Sequence, residues 1–149
     1  REAYTVVSRI VRIDLQCYFL LEIQKDEYMK GDKHMLFVEY PKCTTCQRAK
    51  KWLDERAVEY TDRHIKEENP TVEELKEWHK KSGLPLKRFF NTSGMLYKSM
   101  SLKDKLPNMT EEEQYQLLAE DGMLVKRPII VGEDFVLTGF KEKEWEEVL

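Results

Sequence analysis

The sequence predicts an α/β fold on a mixed sheet, in the order β-α-β-α, a helical insert, then β-β-α. Three observations predict it. A short apolar run at Met35–Tyr40 is broken by Pro41 and followed by a segment of helical period. Two Thr-x-x-Glu stretches, Thr71 to Glu74 and Thr110 to Glu113, have the spacing of a capping box. Near the end, "RPIIVGEDFVLTGF" reads as strand, turn and strand.

Taken in order, "MLFVEY" has the length and content of a buried strand. From Thr44 to Arg56, Ala49, Trp52 and Leu53 recur on one helical face, with Lys and Arg opposite. "VEYTDRHI", residues 58–65, alternates apolar and polar and reads as a second strand, parallel to the first. Asn69-Pro70-Thr71 opens a helix that Gly83 stops. Residues 84–122 form a polar, helical insert, punctuated at Asn91–Gly94 and Leu106–Asn108. Its last helix starts at Thr110 and is expected to end before Gly122. A hairpin turning at Gly132–Asp134 and a short helix, "KEKEWEEVL", finish the chain.

With 149 residues the chain is long enough for one domain with a real core. Hydrophobic residues make up 41% and charged residues 36%, which suits a soluble protein with a charged surface. The net charge of −3 gives no nucleic-acid signal, and no apolar stretch is long enough to span a bilayer. Three cysteines, with Cys17 far from the other two, argue against a secreted disulfide framework and for a cytoplasmic setting.

Residues 1–34 read differently from the rest, with no single hydrophobic period. The apolar patch Cys17–Ile23 lacks the build of a signal peptide. Lys30-Gly31-Asp32 back-translates to a purine-rich AARGGNGAY just before Met35, which resembles a bacterial ribosome-binding sequence. The expectation is a leader over residues 1–34, with a native start at Met35; the competing reading is an amphipathic extension.

Cys43 and Cys46 form a CxxC between the first strand and the first helix. Three readings compete: a metal site, a redox pair, or two small buried residues. A structural zinc needs four ligands, and neither a second CxxC nor an HxxxH accompanies this one. No other metal or cofactor motif is present. The small-residue reading is weakened because both fall at a helix start rather than on its apolar stripe. The redox reading has a physical logic. A thiol at a helix N-terminus is favoured as thiolate, with Lys42 and Arg48 adding positive potential. Cys46, one turn on, is placed to resolve a mixed disulfide on Cys43. Arg127-Pro128 precedes the third strand. In a thioredoxin-like fold a cis-proline there would face the cysteines, and Arg127 would project toward them.

From Met35 onward the chain resembles the arsenate reductase ArsC / Spx / MgsR family. The resemblance is carried by "YPKCTTCQRAKKWL", "NPTVEELKEW", "FFNTSGMLYK", "LKDKLPNMTEEEQYQLLAEDGMLVKRPIIV" and "VLTGFKEKEW". It implies a thioredoxin-like core with a helical insert, one domain over residues 35–149, Cys43 as reactive cysteine and Arg127 as an active-site arginine. It also implies a thiol reductant as partner, from the glutathione/glutaredoxin or the thioredoxin system. Arsenate reductases of this family hold arsenate with three arginines. One position maps onto Arg127; near Thr92-Ser93 and at Gly139-Phe140 this chain has none. That argues against arsenate as substrate. The CxxC is closer to Spx and MgsR, regulators that bind the C-terminal domain of the RNA polymerase α subunit. Two classes follow: a thiol oxidoreductase using Cys43, Cys46 and Arg127, and a redox-sensing regulator.

Overall fold

The computed structural model describes residues 34–149. The leader expected over residues 1–34 lies, apart from His34, outside the described residues. Four strands form one mixed sheet: β1 (Met35–Glu39), β2 (Tyr60–His64), β3 (Ile129–Val131) and β4 (Val136–Thr138). The sheet order is β2-β1-β3-β4. As expected, β1 and β2 run parallel, with Met35 opposite Tyr60 and Glu39 opposite His64. β3 lies antiparallel to β1 and to β4.

The parallel pair needs a crossover, and α1 (Thr44–Glu55) provides it. Its apolar face buries Cys46, Ala49, Trp52 and Leu53. Together with Phe37, Ile130 and Trp145 these form the core on one side of the sheet. Trp145 belongs to the closing helix α6 (Glu142–Val148), and its indole N–H donates to the Gly139 carbonyl at 3.1 Å. Strand alternation sends the neighbours Val38 and Ile129 to the opposite side. There they meet α2 (Val72–Ser82), the insert and α5 (Glu111–Glu120), through Leu75, Trp78, Phe89 and Leu118. Each such fully buried side chain contributes about 1.5–3 kcal/mol.

Both expected capping boxes form. The Thr71 hydroxyl accepts from the Glu74 N–H while the Glu74 carboxylate accepts from the Thr71 N–H. Thr110 and Glu113 repeat the pattern at α5. The Arg63 guanidinium joins β2 to α2, donating to both carboxylate oxygens of Glu74 and to the Asn69 carbonyl.

The insert is a chain of short turns. A 3-10 segment (Leu86–Phe89) leads to α3 (Met95–Ser99), α4 (Leu102–Lys105) and a second 3-10 turn (Leu106–Asn108) before α5. As expected, α5 ends before Gly122: the helix stops at Glu120, Asp121 caps it in extended conformation, and Gly122 opens a third 3-10 turn (Gly122–Leu124). Gly122 is also needed for close approach: a Cβ there would stand 2.1 Å from the Ile65 carbonyl oxygen. Nearby, the Asn69 side-chain amide donates to the Ala119 carbonyl at 2.6 Å. These contacts fasten the end of the insert to the β2–α2 connection.

Candidate functional site

Pro41 and Cys43 determine how α1 begins. Pro41 cannot extend a strand ladder, and the Cys43 N–H donates instead to the Tyr40 carbonyl at 2.9 Å. Cys43 is the N-cap residue of α1, with extended backbone and no side-chain capping bond. Its sulfur therefore faces first-turn N–H groups that lack helical partners. Cys43 is partly exposed, whereas Cys46 is fully buried, and both are free thiols.

The two thiols are driven in opposite directions. Burial raises Cys43, but hydrogen bonds from the Cys46 N–H and thiol, the Arg127 guanidinium and the Thr45 N–H outweigh it, and Cys43 falls below the ordinary thiol range. Burial pushes Cys46 well up. The Tyr40 N–H offsets this only in part, and the Cys43 thiol and the charges of Cys43 and Glu39 add to the rise. Glu39, at the end of β1, is itself 4% exposed. Its carboxyl is raised by burial and by Asp62, against the opposing pull of Lys50 and His64.

Arg127 lines the same cavity as Cys43. The Arg127–Pro128 peptide is cis. The guanidinium lies 5.1 Å from the Tyr40 ring centre and donates to the Met123 sulfur at 3.6 Å. Lys42 and Arg48, expected to supply further positive potential, do not line the site. Arg48 leans over the Phe140 ring at 5.9 Å. Among the described residues no three His, Cys, Asp or Glu side chains converge as metal ligands, and no helix is long and apolar enough to cross a membrane.

Cys43 and Arg127 open onto a cavity of about 950 Å³. Sequence reasoning missed most of its charge. Lys87, Arg88, Lys126 and Lys141 line it together with Arg127, and no Asp or Glu does. The positions without arginine near Thr92 and Gly139 do line the cavity, but cations reach it from elsewhere. Lys87 and Arg88 come from the 3-10 segment at the start of the insert. Lys126 passes over Gly139, whose φ of +73° is the left-handed region; a Cβ there would meet the Lys126 stem at 3.2 Å. Lys126 was legible as the neighbour of Arg127, whereas Lys87 and Arg88 arrive only through the path of the insert. Thr138 also lines the cavity, and its buried hydroxyl has no partner among the described residues.

Known proteins share this frame. The sequence model of the ArsC family matches residues 38–148. The protein YusI of Bacillus subtilis is 54% identical over 113 residues, 76% of this chain and 96% of that protein. The regulatory protein MgsR of Bacillus subtilis is 31% identical over 113 residues, 76% of this chain and 88% of its own length. An ArsC family related protein from Bacteroides fragilis, known from its crystal structure, superposes with a TM-score of 0.76 at 60% identity, covering 80% of this chain and 99% of that one. A thioredoxin-like frame carrying the CxxC at the first helix, matched along nearly all of its described length, places this chain in the ArsC family.

Proposed function

We propose that the chain is a thiol–disulfide oxidoreductase in which Cys43 attacks and Cys46 resolves. The observation that carries this is the pairing of a partly exposed, thiolate-favouring Cys43 with a buried, thiol-favouring Cys46 one turn behind it. The Cys43 thiolate attacks one sulfur of a substrate disulfide; a Cys43 mixed disulfide forms and the other half leaves as thiolate. Cys46 then loses its proton and attacks the Cys43 sulfur. The Cys43–Cys46 disulfide forms and the second half leaves. The substrate gains two electrons, the pair loses two, and a dithiol or low-molecular-weight thiol reductant restores it. Arg127 favours the attacking thiolate and stays beside it through the exchange.

The test is turnover of a disulfide substrate with thioredoxin or glutaredoxin systems as electron source. Multiple turnovers by the wild type, none by Cys43→Ser, and a trapped mixed disulfide in Cys46→Ser support the reading. Consumption of a single equivalent of reductant sinks it.

A second reading is favoured by the 31% identity to MgsR, a regulatory protein. In it, oxidation of the same pair once, without turnover, changes the surface offered to a partner such as the RNA polymerase α C-terminal domain. Reduced and oxidised protein would then differ in binding that domain.

A further inference from the structure

We propose that the disulfide attacked by Cys43 is that of an acidic substrate, a thiol compound or peptide carrying carboxylates near its sulfur, and that Lys87, Arg88 and Lys126 hold those carboxylates. This rests on the oxidoreductase reading and adds the chemistry of the substrate.

Size is the first argument. The cavity, at about 950 Å³, lies in the range of roughly 300–1,000 Å³ typical of pockets that enclose a whole small molecule. An oxyanion of five heavy atoms would leave most of it empty.

Charge is the second. The chain has 28 acidic and 25 basic residues, so an arbitrary stretch of its surface mixes both signs. Here five cations gather with no carboxylate in the wall. Among the described residues, of the five only Lys141 is ion-paired, to Glu144 at 3.2 Å. Arg127 is engaged with Tyr40 and Met123. Lys87, Arg88 and Lys126 make no ion pair among the described residues, so three cations remain for a ligand. Elsewhere among the described residues some basic side chains pair with acids, as Lys50 does with Asp62 and Arg63 with Glu74, and others such as Lys66 and Lys98 do not; what marks the cavity is five cations gathered with no carboxylate among them.

Construction is the third. The 2.7 Å bond from the Lys126 N–H to the Phe89 carbonyl ties the segment carrying Lys126 to the one carrying Lys87 and Arg88. The stem of Lys126 is guided across Gly139 by the missing Cβ. Apolar surface accompanies the cations: Phe140 lines the wall, and Met95, 88% exposed, stands at the cavity. An extended acidic thiol fits such a wall better than a compact ion does. Its carboxylates meet the cations, its carbon chain lies on the apolar surface, and its sulfur reaches Cys43.

The experiment uses the reduced full chain and three aliphatic disulfides of similar size: 3,3′-dithiodipropionate, bis(2-hydroxyethyl) disulfide and cystamine. They are dianionic, neutral and dicationic. Each rate is taken per Cys43 thiolate and divided by the rate of a free neutral thiolate with the same probe, which removes leaving-group effects. The expected order is anionic, then neutral, then cationic, about tenfold or more between the extremes at low salt and compressed at high salt. Lys87→Gln/Lys126→Gln should compress it in the same way. Peptide disulfides with Glu flanking the cysteine, compared with Lys-flanked ones, separate the two sources. A larger Glu/Lys ratio than the small probes give assigns a peptide, and an equal or smaller ratio assigns a small thiol. Equal normalised rates for all three small probes, or an order indifferent to salt, overturn the acidic-substrate proposal and leave the oxidoreductase reading standing. Failure of Cys43 to outpace the free thiolate with every probe overturns both.

Discussion

The Glu39 carboxylate, buried at the end of β1, raises the thiol of Cys46 on the facing side of α1. Phe37, two residues earlier, packs against Ala49, Trp52 and Leu53 of α1, so strand alternation sends Glu39 to the same side. Asp62 and His64 on β2 and Lys50 on α1 also act on this carboxyl. The fold thus holds a thiol, Cys46, and a carboxyl, Glu39, that both resist ionisation.

Glu39→Gln should lower the Cys46 pKa and raise stability at neutral pH. Below the ordinary glutamate value of 4.5, folded and unfolded states both hold the proton and the variant gains nothing. As pH rises through the elevated folded value, the wild type must ionise a buried carboxyl and loses stability, while glutamine does not. The gain should be on the order of 1 kcal/mol, or a few degrees in melting temperature. Melting curves at pH 4 and pH 7.5 check it, and an equal difference at both would refute the linkage.

Alkylation of the reduced protein should label Cys43 first, below the pH range of a free thiol. Cys46 should stay unlabelled until the protein unfolds, since it is fully buried. Mass spectrometry of peptides quenched at successive pH values reads this directly. Early labelling of Cys46 would exchange the two roles.

Arg127→Ala should raise the Cys43 pKa, because a donor to the thiolate is lost. The reduced state then loses stability relative to the disulfide, and the pair becomes easier to oxidise near neutral pH. A change of about one pKa unit corresponds to roughly 30 mV or less for a two-electron couple. Arg127→Lys should keep part of the effect, as charge survives and the planar fork is lost. Redox titration of the three proteins at one pH, paired with thiol titration, decides it. An unchanged Cys43 pKa in the alanine variant would leave Arg127 only its contacts with Tyr40 and Met123.

Arg63→Ala should destabilise the fold by about 2 kcal/mol, since its guanidinium serves Glu74 and the Asn69 carbonyl. The hydrogen bond from Arg63 holds Glu74 below the usual carboxylate range, against the effect of burial. That contribution is present above pH 4.5 and is lost as pH falls through the lower folded value. The penalty of the variant should therefore shrink in acid. Denaturant titrations at pH 7 and pH 3 test the sign.

The parts of the fold legible in the sequence are those governed by neighbours in the chain. Thr71 and Thr110 announce their helices because a capping box closes within four residues. Cys43 announces its place at the head of α1 because it follows a strand and starts a helix. What the sequence hides is nonlocal. Gly122 marks the end of its helix, yet the space it saves is claimed by Ile65, 57 positions earlier. Glu39 was hidden inside an apolar run, where one charged residue looks like an edge of the pattern. Lys87 and Arg88 carry no local signal, because nothing nearby in sequence says that the insert returns them to the cavity of Cys43.

The anchoring of the insert at Gly122 and Asn69 has a consequence for how such a protein diversifies. Cys43 sits on the β-α-β frame, while Lys87 and Arg88 sit on a separate stretch of the insert, tied to Lys126 through the Phe89 carbonyl. Acidic residues at 87 and 88 would therefore cancel most of the cavity's positive charge while leaving Cys43 and Arg127 in place. Lineages sharing one reactive centre are free to part company over what they admit to it, through exchanges as small as lysine for glutamate.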